Sequence, residues 1–253
     1  MFPIGDDNSD RTITPWVNYL LLAANLFVFF VLQGMGSNDR FTYAFSTVPQ
    51  EIATGRDLVT SGRVVQDPVT GDRFRAPGLE PTPVSVYLTL FTSMFMHGGI
   101  AHIFGNMLYL WIFGDNLEDR MGHGGYFGFY IVCGILASLA HVATTIGFGG
   151  NATVPSLGAS GAISGVLAGY MVLFPKRQVR VIIFRVLTWV PAIVAIGLWF
   201  VFQVISGMGV LGKGSQEGGV AYAAHIGGFL AGLVLVKMFD HRRGGRPPLR
   251  RSY

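Results

Sequence analysis

Six apolar windows constrain the fold of this chain more than any other feature. The hydrocarbon core of a bilayer is about 30 Å thick, and a helix crosses it in about 20 residues. Because 51% of the 253 residues are hydrophobic and only 13% are charged, the composition is too apolar for an ordinary soluble domain. We therefore predict an all-α membrane protein, a bundle of six transmembrane helices with a long first loop. The windows are 16–34, 87–114, 124–148, 158–174, 179–206 and 219–239.

Basic residues near the ends of these windows predict the orientation. A basic cluster separates the fourth and fifth windows, and five arginines lie in the tail 240–253. Short loops rich in Lys and Arg stay in the cytoplasm, so we expect both termini there. Residues 1–15 then form a cytoplasmic segment, 16–239 the six-span domain and 35–85 an extracytoplasmic loop. Within that loop, alternating residues around a Pro/Gly turn over 63–74 predict a hairpin.

Composition excludes several other classes of protein. The formal net charge is +4, but the basic residues do not share a face with aromatic residues, so we expect no nucleic-acid partner. A lone Cys133 excludes an intramolecular disulfide. Asp6, Asp7 and Asp10 outnumber Arg11 before the first window, which is the wrong charge for a signal peptide. We expect a multi-pass protein of the bacterial plasma membrane, with an organelle membrane as the open alternative.

Stripes of small residues at four-residue spacing mark the fourth and sixth windows. They are Gly161, Gly165 and Gly169, and Ala224, Gly228 and Gly232. In lipid, small residues allow close approach of helix backbones, so these two helices should touch. Ser160 and His225 would then come within about 3 Å of each other. Ordinary helix packing is the alternative for the glycines, but an ionisable histidine inside a span indicates function.

The serine and histidine predict acyl-transfer chemistry. His225 would take the proton of Ser160, which attacks a peptide carbonyl and forms an acyl-enzyme. No buried carboxylate is placed to orient His225, so we predict a dyad. His102 and Asn106, four residues apart on one helix face, can donate hydrogen bonds to the developing oxyanion. A metal site that includes His97 is the competing interpretation, but the spacing matches no zinc motif, and we expect neither metal nor cofactor.

Taken together, these motifs resemble the rhomboid family of intramembrane serine proteases from about Trp16 to Phe239. The matching pieces are His97, His102 and Asn106, the run Leu117 to Gly122, the run Gly158 to Gly161, and the run Ala224 to Gly228. The resemblance implies that Ser160 is the nucleophile, His225 the base, and His102 and Asn106 the oxyanion donors. We expect His97, Gly158, Gly161 and Gly228 to support the site. The implied substrates are single-span membrane proteins, and the oligomeric state stays open.

The chain departs from the family pattern at two places. Leu88 and Thr89 stand where many bacterial rhomboids have a Trp-Arg pair. Ser164 stands where several have a tyrosine stacked on the base, so something else must hold the ring of His225. Residues 207–219 contain six glycines and predict either a mobile cap over the site or a plain connector. Glu118 should fix the cytoplasmic turn, locally or by pairing with Arg120.

Two other function classes stay open. One is a catalytically silent rhomboid-like protein that binds transmembrane helices, although such relatives would be expected to lose the serine or the histidine. The other is a transporter with a histidine proton relay, which predicts a duplication that the two halves of the chain do not show.

Overall fold

Helices make up most of the molecule, with short strands at the N-terminus, in the first loop and before the last two helices. The computed structural model describes residues 2–66, 71, 73–213 and 222–240. In chain order, the elements are β1 (Phe2–Asp6), α1 (Trp16–Phe27), α2 (Asp39–Phe45), α3 (Pro49–Thr54), β2 (Arg63–Gln66), β3 (Arg73–Ala76), α4 (Thr89–Thr92), α5 (Ile100–Gly147), α6 (Ser160–Leu173), β4 (Gln178–Ile183), β5 (Val186–Pro191), α7 (Ala192–Lys213) and α8 (Tyr222–Phe239).

Two helices of the described chain are long and apolar enough to cross a membrane by themselves, namely α5 and α8. Shorter apolar helices cover Trp16–Leu32, Val86–Phe95, Ser160–Leu173 and Ala192–Met208. The 48-residue α5 takes in the second predicted window from Ile100 onward and the third up to Gly147. The separate short helix α4 lies in the first part of the second window. At Gly122 its backbone leaves helical geometry, with φ 73° and ψ 164°, a conformation that glycine adopts without a steric penalty. The number of spans stays a prediction.

The predicted helix over 179–206 is wrong in its first half. Residues before Ala192 form the antiparallel pair β4 and β5, and β1 adds to the other edge of β4 to give the order β1-β4-β5. Along β4, Val179 and Val181 are buried while Gln178 and Arg180 are exposed, which is the two-residue period of a strand. A hydropathy average over a long window hides this alternation. The fold is therefore mostly helical rather than all-α.

β1 is held in place by the half-buried side chain of Asp6. The Tyr170 hydroxyl on α6 and the Asn116 side-chain amide on α5 both donate to its Oδ2, at 2.5 and 2.8 Å. Burial, opposed in part by the bond from Tyr170, raises the pKa of Asp6 to about 6. The N-terminal segment is thus packed against α5 and α6.

The raised pKa of Asp6 makes the attachment of β1 dependent on pH. The folded protein keeps a proton that the unfolded chain releases above its ordinary value of 3.8. The stabilisation is therefore complete below about pH 4 and is lost as the pH rises through about 6. We expect the thermal unfolding midpoint in detergent to fall between pH 4 and pH 7, and Asp6→Asn to remove a dependence on the order of 3 kcal/mol. Asp7→Asn is the control, because hydrogen bonds from Ser9 lower the pKa of Asp7. Equal slopes for wild type and Asp6→Asn would contradict this origin.

The long first loop carries its own structure and packs beside the start of α6. The predicted hairpin is confirmed, since β2 and β3 pair antiparallel; 67–70 and 72 lie outside the described residues. Farther toward the helices, Thr47 forms a two-way backbone pair with Ser156, at 2.8 and 3.0 Å. The Thr47 hydroxyl also donates to the carbonyl of the fully buried Thr89. These bonds fix the segment that leads into α6.

Glu118 caps the beginning of α1. Its carboxylate accepts the backbone N–H groups of Val17 and Asn18, at 2.9 and 2.7 Å. These are amides of a first helical turn, which lack partners inside their own helix. The expected local contact is present, since Glu118 Oε1 also lies 2.5 Å from Nδ1 of His123. The expected pair with Arg120 is wrong, because Arg120 pairs with Asp240. Glu118 thus ties α1 to α5.

Close contact of α6 with α8 rests on glycines that meet backbone to backbone. A Cβ added at Gly228 would lie 2.0 Å from the carbonyl oxygen of Gly161, and one added at Gly232 would lie 2.5 Å from that of Gly165. Both distances are far inside van der Waals contact, so only glycine fits. The expected touching of the two striped helices is present in the structure.

Candidate active site

Ser160 is the first residue of α6, at the end of a tightly held turn. The amide of Gly158 donates to the carbonyl of Ser93, at 2.9 Å. Gly158 has φ +130°, and an added Cβ would lie 2.9 Å from Cε1 of His102, so both its conformation and its surroundings demand glycine. The first helical bond here runs from Ile163 to Ala159. The amides of the first turn therefore have no helical partners and can donate to an anion.

Ser160 and His225 are joined by a hydrogen bond. His225 lies on α8, one turn before Gly228, and its Nε2 is 2.8 Å from the Ser160 Oγ. The glycine contacts between α6 and α8 bring the two helices near enough for this bond. The sequence anticipated a separation of about 3 Å, and the structure has that geometry.

The far side of the His225 ring contacts a residue that the sequence analysis missed. Its Nδ1 lies 2.7 Å from Oε1 of Gln203 on α7, and the Gln203 side chain is buried. Trp199, one turn earlier on α7, has its ring centroid 6.1 Å from that of His225. Tyr222 approaches edge-on from α8, at 6.4 Å. These three side chains therefore hold the ring of His225, as the tyrosine that several rhomboids have in place of Ser164 would do. A lone glutamine inside an apolar window was the available signal.

His102 and Asn106 lie on α5 beside the start of α6. The imidazole of His102 borders Gly158, and its Nδ1 accepts the amide N–H of Gly98 at 3.3 Å. Asn106 is 7% exposed, and its Nδ2 has no hydrogen-bond partner within the part of the chain that the structure describes. A buried donor without a partner costs about 1–3 kcal/mol, so it is a group that a ligand can satisfy.

His97 packs against the rings of His102 and Phe29. Its ring centroid is 5.1 Å from that of His102 and 6.4 Å from that of Phe29, both in edge-on geometry. Gln33 holds the backbone of His97 from both sides, accepting its N–H at 2.9 Å and donating to its carbonyl at 3.1 Å. The ring of His97 thus packs against that of His102, and its supporting role stays a prediction. Gln33 was also missed from the sequence.

Two further expectations concern a metal and a cap. Among residues 2–66, 71, 73–213 and 222–240, no three His, Cys, Asp or Glu side chains are grouped to hold a metal ion. The predicted cap over 207–219 begins as the last turns of α7, which continues to Lys213. Its remainder lies outside the described residues.

Ser160 thus begins one glycine-packed apolar helix, and its hydroxyl is hydrogen-bonded to a histidine on another. Residues 85–242, more than half of the chain, match the family model of the Rhomboid domain. The chain belongs to the rhomboid family, whose members are integral membrane proteins.

Similar proteins occur in mitochondria and bacteria. The mitochondrial Rhomboid protein 1 of Saccharomyces cerevisiae is 31% identical over 160 residues, which cover 62% of this chain and 43% of the relative. Rhomboid protease GluP of Bacillus subtilis is 28% identical over 224 residues, 87% of this chain and 35% of the relative. The mitochondrial presenilin-associated rhomboid-like protein of Mus musculus is 26% identical over 197 residues, 72% and 48% respectively. The chain thus spans less than half the length of these relatives.

Proposed function

We propose that this protein is an intramembrane serine endopeptidase that cleaves transmembrane segments of single-span membrane proteins. The observation that carries the proposal is the 2.8 Å hydrogen bond from Ser160 to His225, formed between two apolar helices. Membership of the rhomboid family supports it, as does the similarity to a relative named a rhomboid protease. A catalytically silent, helix-binding protein would have no use for this bond.

In the proposed reaction, His225 acts first as a base and then as an acid. Its Nε2 takes the hydroxyl proton of Ser160 while Oγ forms a bond to the carbonyl carbon of the substrate. The tetrahedral intermediate collapses, the C–N bond breaks, and the proton on Nε2 passes to the leaving amine. Water then adds to the acyl-enzyme by the same steps, which releases the new carboxylate and restores Ser160.

We propose that the oxyanion is held by groups from α5 and α6. The unpartnered Nδ2 of Asn106 and the ring of His102 approach from α5. The first-turn amides of α6 add backbone donors and the positive end of the helix dipole. Such donors act strongly where water is scarce, because the low local dielectric does not screen them.

We further propose six membrane crossings, with α5 supplying two of them on either side of Gly122. In this arrangement both termini and the sheet of β1, β4 and β5 face the cytoplasm, and Ser160 opens toward the opposite side. The site would then lie below the outer surface, where a substrate helix must unwind locally to expose its backbone. For the source membrane we propose the bacterial plasma membrane, which the similar Bacillus subtilis protein supports. The similar mitochondrial proteins favour the alternative of an organelle membrane.

The direct test combines cleavage with chemical labelling. The purified protein, reconstituted in liposomes, should cleave a single-span model substrate and form one fluorophosphonate adduct, located on Ser160 by peptide mass spectrometry. Heat-denatured protein is the control, since an unactivated serine does not react. Binding of the substrate with neither cleavage nor adduct would support the silent alternative and contradict the protease.

Loss of one oxyanion donor should slow turnover without removing the nucleophile. We expect Asn106→Ala and His102→Ala to lower kcat about 10- to 1000-fold, because each removes a contact made chiefly in the transition state. Adduct formation on Ser160 should remain detectable. Asn8→Ala, at an exposed asparagine, is the control. Unchanged turnover in both site variants would remove these two side chains from the oxyanion site.

A further inference from the structure

We infer that Gln203 is a positioning residue that fixes the tautomer and orientation of His225. This inference rests on the proposed function. It gives the Ser160–His225 pair an orienting third residue, which no buried carboxylate in the described part of the chain provides. Its basis is the 2.7 Å contact between Gln203 Oε1 and His225 Nδ1, on the opposite side of the ring from Ser160.

The chemistry of the dyad requires one particular tautomer of His225. To accept the serine proton, Nε2 must carry a lone pair, and the neutral ring then carries its proton on Nδ1. A buried Nδ1–H needs an acceptor, because leaving it unpaired costs free energy. Oε1 of Gln203 is that acceptor. With this bond in place, the lone pair of Nε2 faces the hydroxyl of Ser160.

The surroundings of Gln203 make it well suited to hold the ring. Its side chain is 6% exposed, and it lies one helical turn after Trp199 on α7. Trp199 approaches the same imidazole, so two side chains on one face of α7 confine the ring. Phe229 packs on Trp199 in turn, at 6.3 Å between ring centroids.

The bond from Nδ1–H to Gln203 persists when Nε2 takes the serine proton, and it becomes charge-assisted. A neutral amide stabilises the imidazolium less than a carboxylate would. Gln203 thus acts through His225.

Three variants separate positioning from simple packing. We expect Gln203→Met to lower kcat about 100- to 1000-fold, less than loss of a triad carboxylate, because the apolar side chain cannot accept the Nδ1 proton. KM should stay within about threefold, since substrate contacts are unchanged. Gln203→Glu keeps an acceptor oxygen and should retain most activity. Gln178→Met makes the same replacement at an exposed glutamine and is the control.

The pH dependence of kcat distinguishes a positioning role of Gln203 from a packing role, because a change in packing alone would not shift it. A carboxylate at position 203 would keep the imidazole protonated to a higher pH, so the acidic limb of the kcat profile should shift upward in Gln203→Glu. Equal kcat in wild type and Gln203→Met would overturn the inference. If Gln203→Met fails to fold, an unshifted acidic limb in Gln203→Glu would overturn it as well. A wild-type protein that neither cleaves nor labels would instead refute the protease proposal itself.

Discussion

Replacing Ser160 with alanine is expected to lower cleavage by about 10⁴-fold or more, to the background rate. The variant loses the oxygen that forms the acyl bond, and no other group in the described site can replace it. His225→Ala should cause a loss of similar size, because the hydroxyl of Ser160 then has no base at 2.8 Å. The measurement is the initial rate of substrate cleavage in liposomes, with protein amounts matched.

The double variant gives a sharper result than either single change. If the two residues act as one unit, Ser160→Ala with His225→Ala should be no slower than Ser160→Ala alone. Ser164→Ala, one turn later on α6, is the matched control. The hydroxyl of Ser164 only donates to the backbone carbonyl of Ser160, at 2.6 Å, so its loss should have little effect. Full activity of Ser160→Ala would refute the mechanism.

Gly228→Val is expected to separate α6 from α8 and to abolish activity. Its Cβ alone would overlap the carbonyl oxygen of Gly161 at 2.0 Å, and a helix backbone cannot yield as a flexible side chain can. Overpacking commonly costs about 1–3 kcal/mol, and this clash should lie at or above the upper end. The thermal unfolding midpoint and the cleavage rate should both fall, because His225 is one turn away on the same helix.

Gly197 provides the control for this substitution. It lies inside α7, where an added Cβ would meet nothing within 4 Å. Gly197→Ala should therefore keep activity and stabilise the helix by roughly 0.5–1 kcal/mol. Wild-type stability and activity in Gly228→Val would show that the two backbones are not in contact.

Much of the candidate site could be predicted because its signals are local and strong. A histidine in an apolar window and small residues every four positions are visible in the sequence. Within lipid, the histidine indicates function and the small residues indicate helix contact. The approach of Ser160 to His225 followed from these stripes. Gln203 was not predicted, because its contact depends on how α7 is rotated against α8, and the sequence does not specify that rotation.

The strands escaped prediction for a different physical reason. β4 and β5 are rich in valine and isoleucine, which favour both membrane helices and strands. A window average cannot distinguish the two, whereas the alternation of burial along β4 can. The pairing of β1 with β4 joins segments about 180 positions apart, as in Phe2 with Ile182, and no local pattern encodes such a partner.

The order β1-β4-β5 has a consequence for handling the protein in the laboratory. β1 is an outer strand that covers one side of β4, and β5 continues directly into α7, the helix that holds Gln203. If a contaminating protease removed the first seven residues, the backbone N–H and C=O groups along one edge of β4 would be left unpaired. An exposed sheet edge of this kind can pair with a strand of another molecule. Preparations nicked there would be prone to self-association, so intact mass is the property to check before oligomers are interpreted.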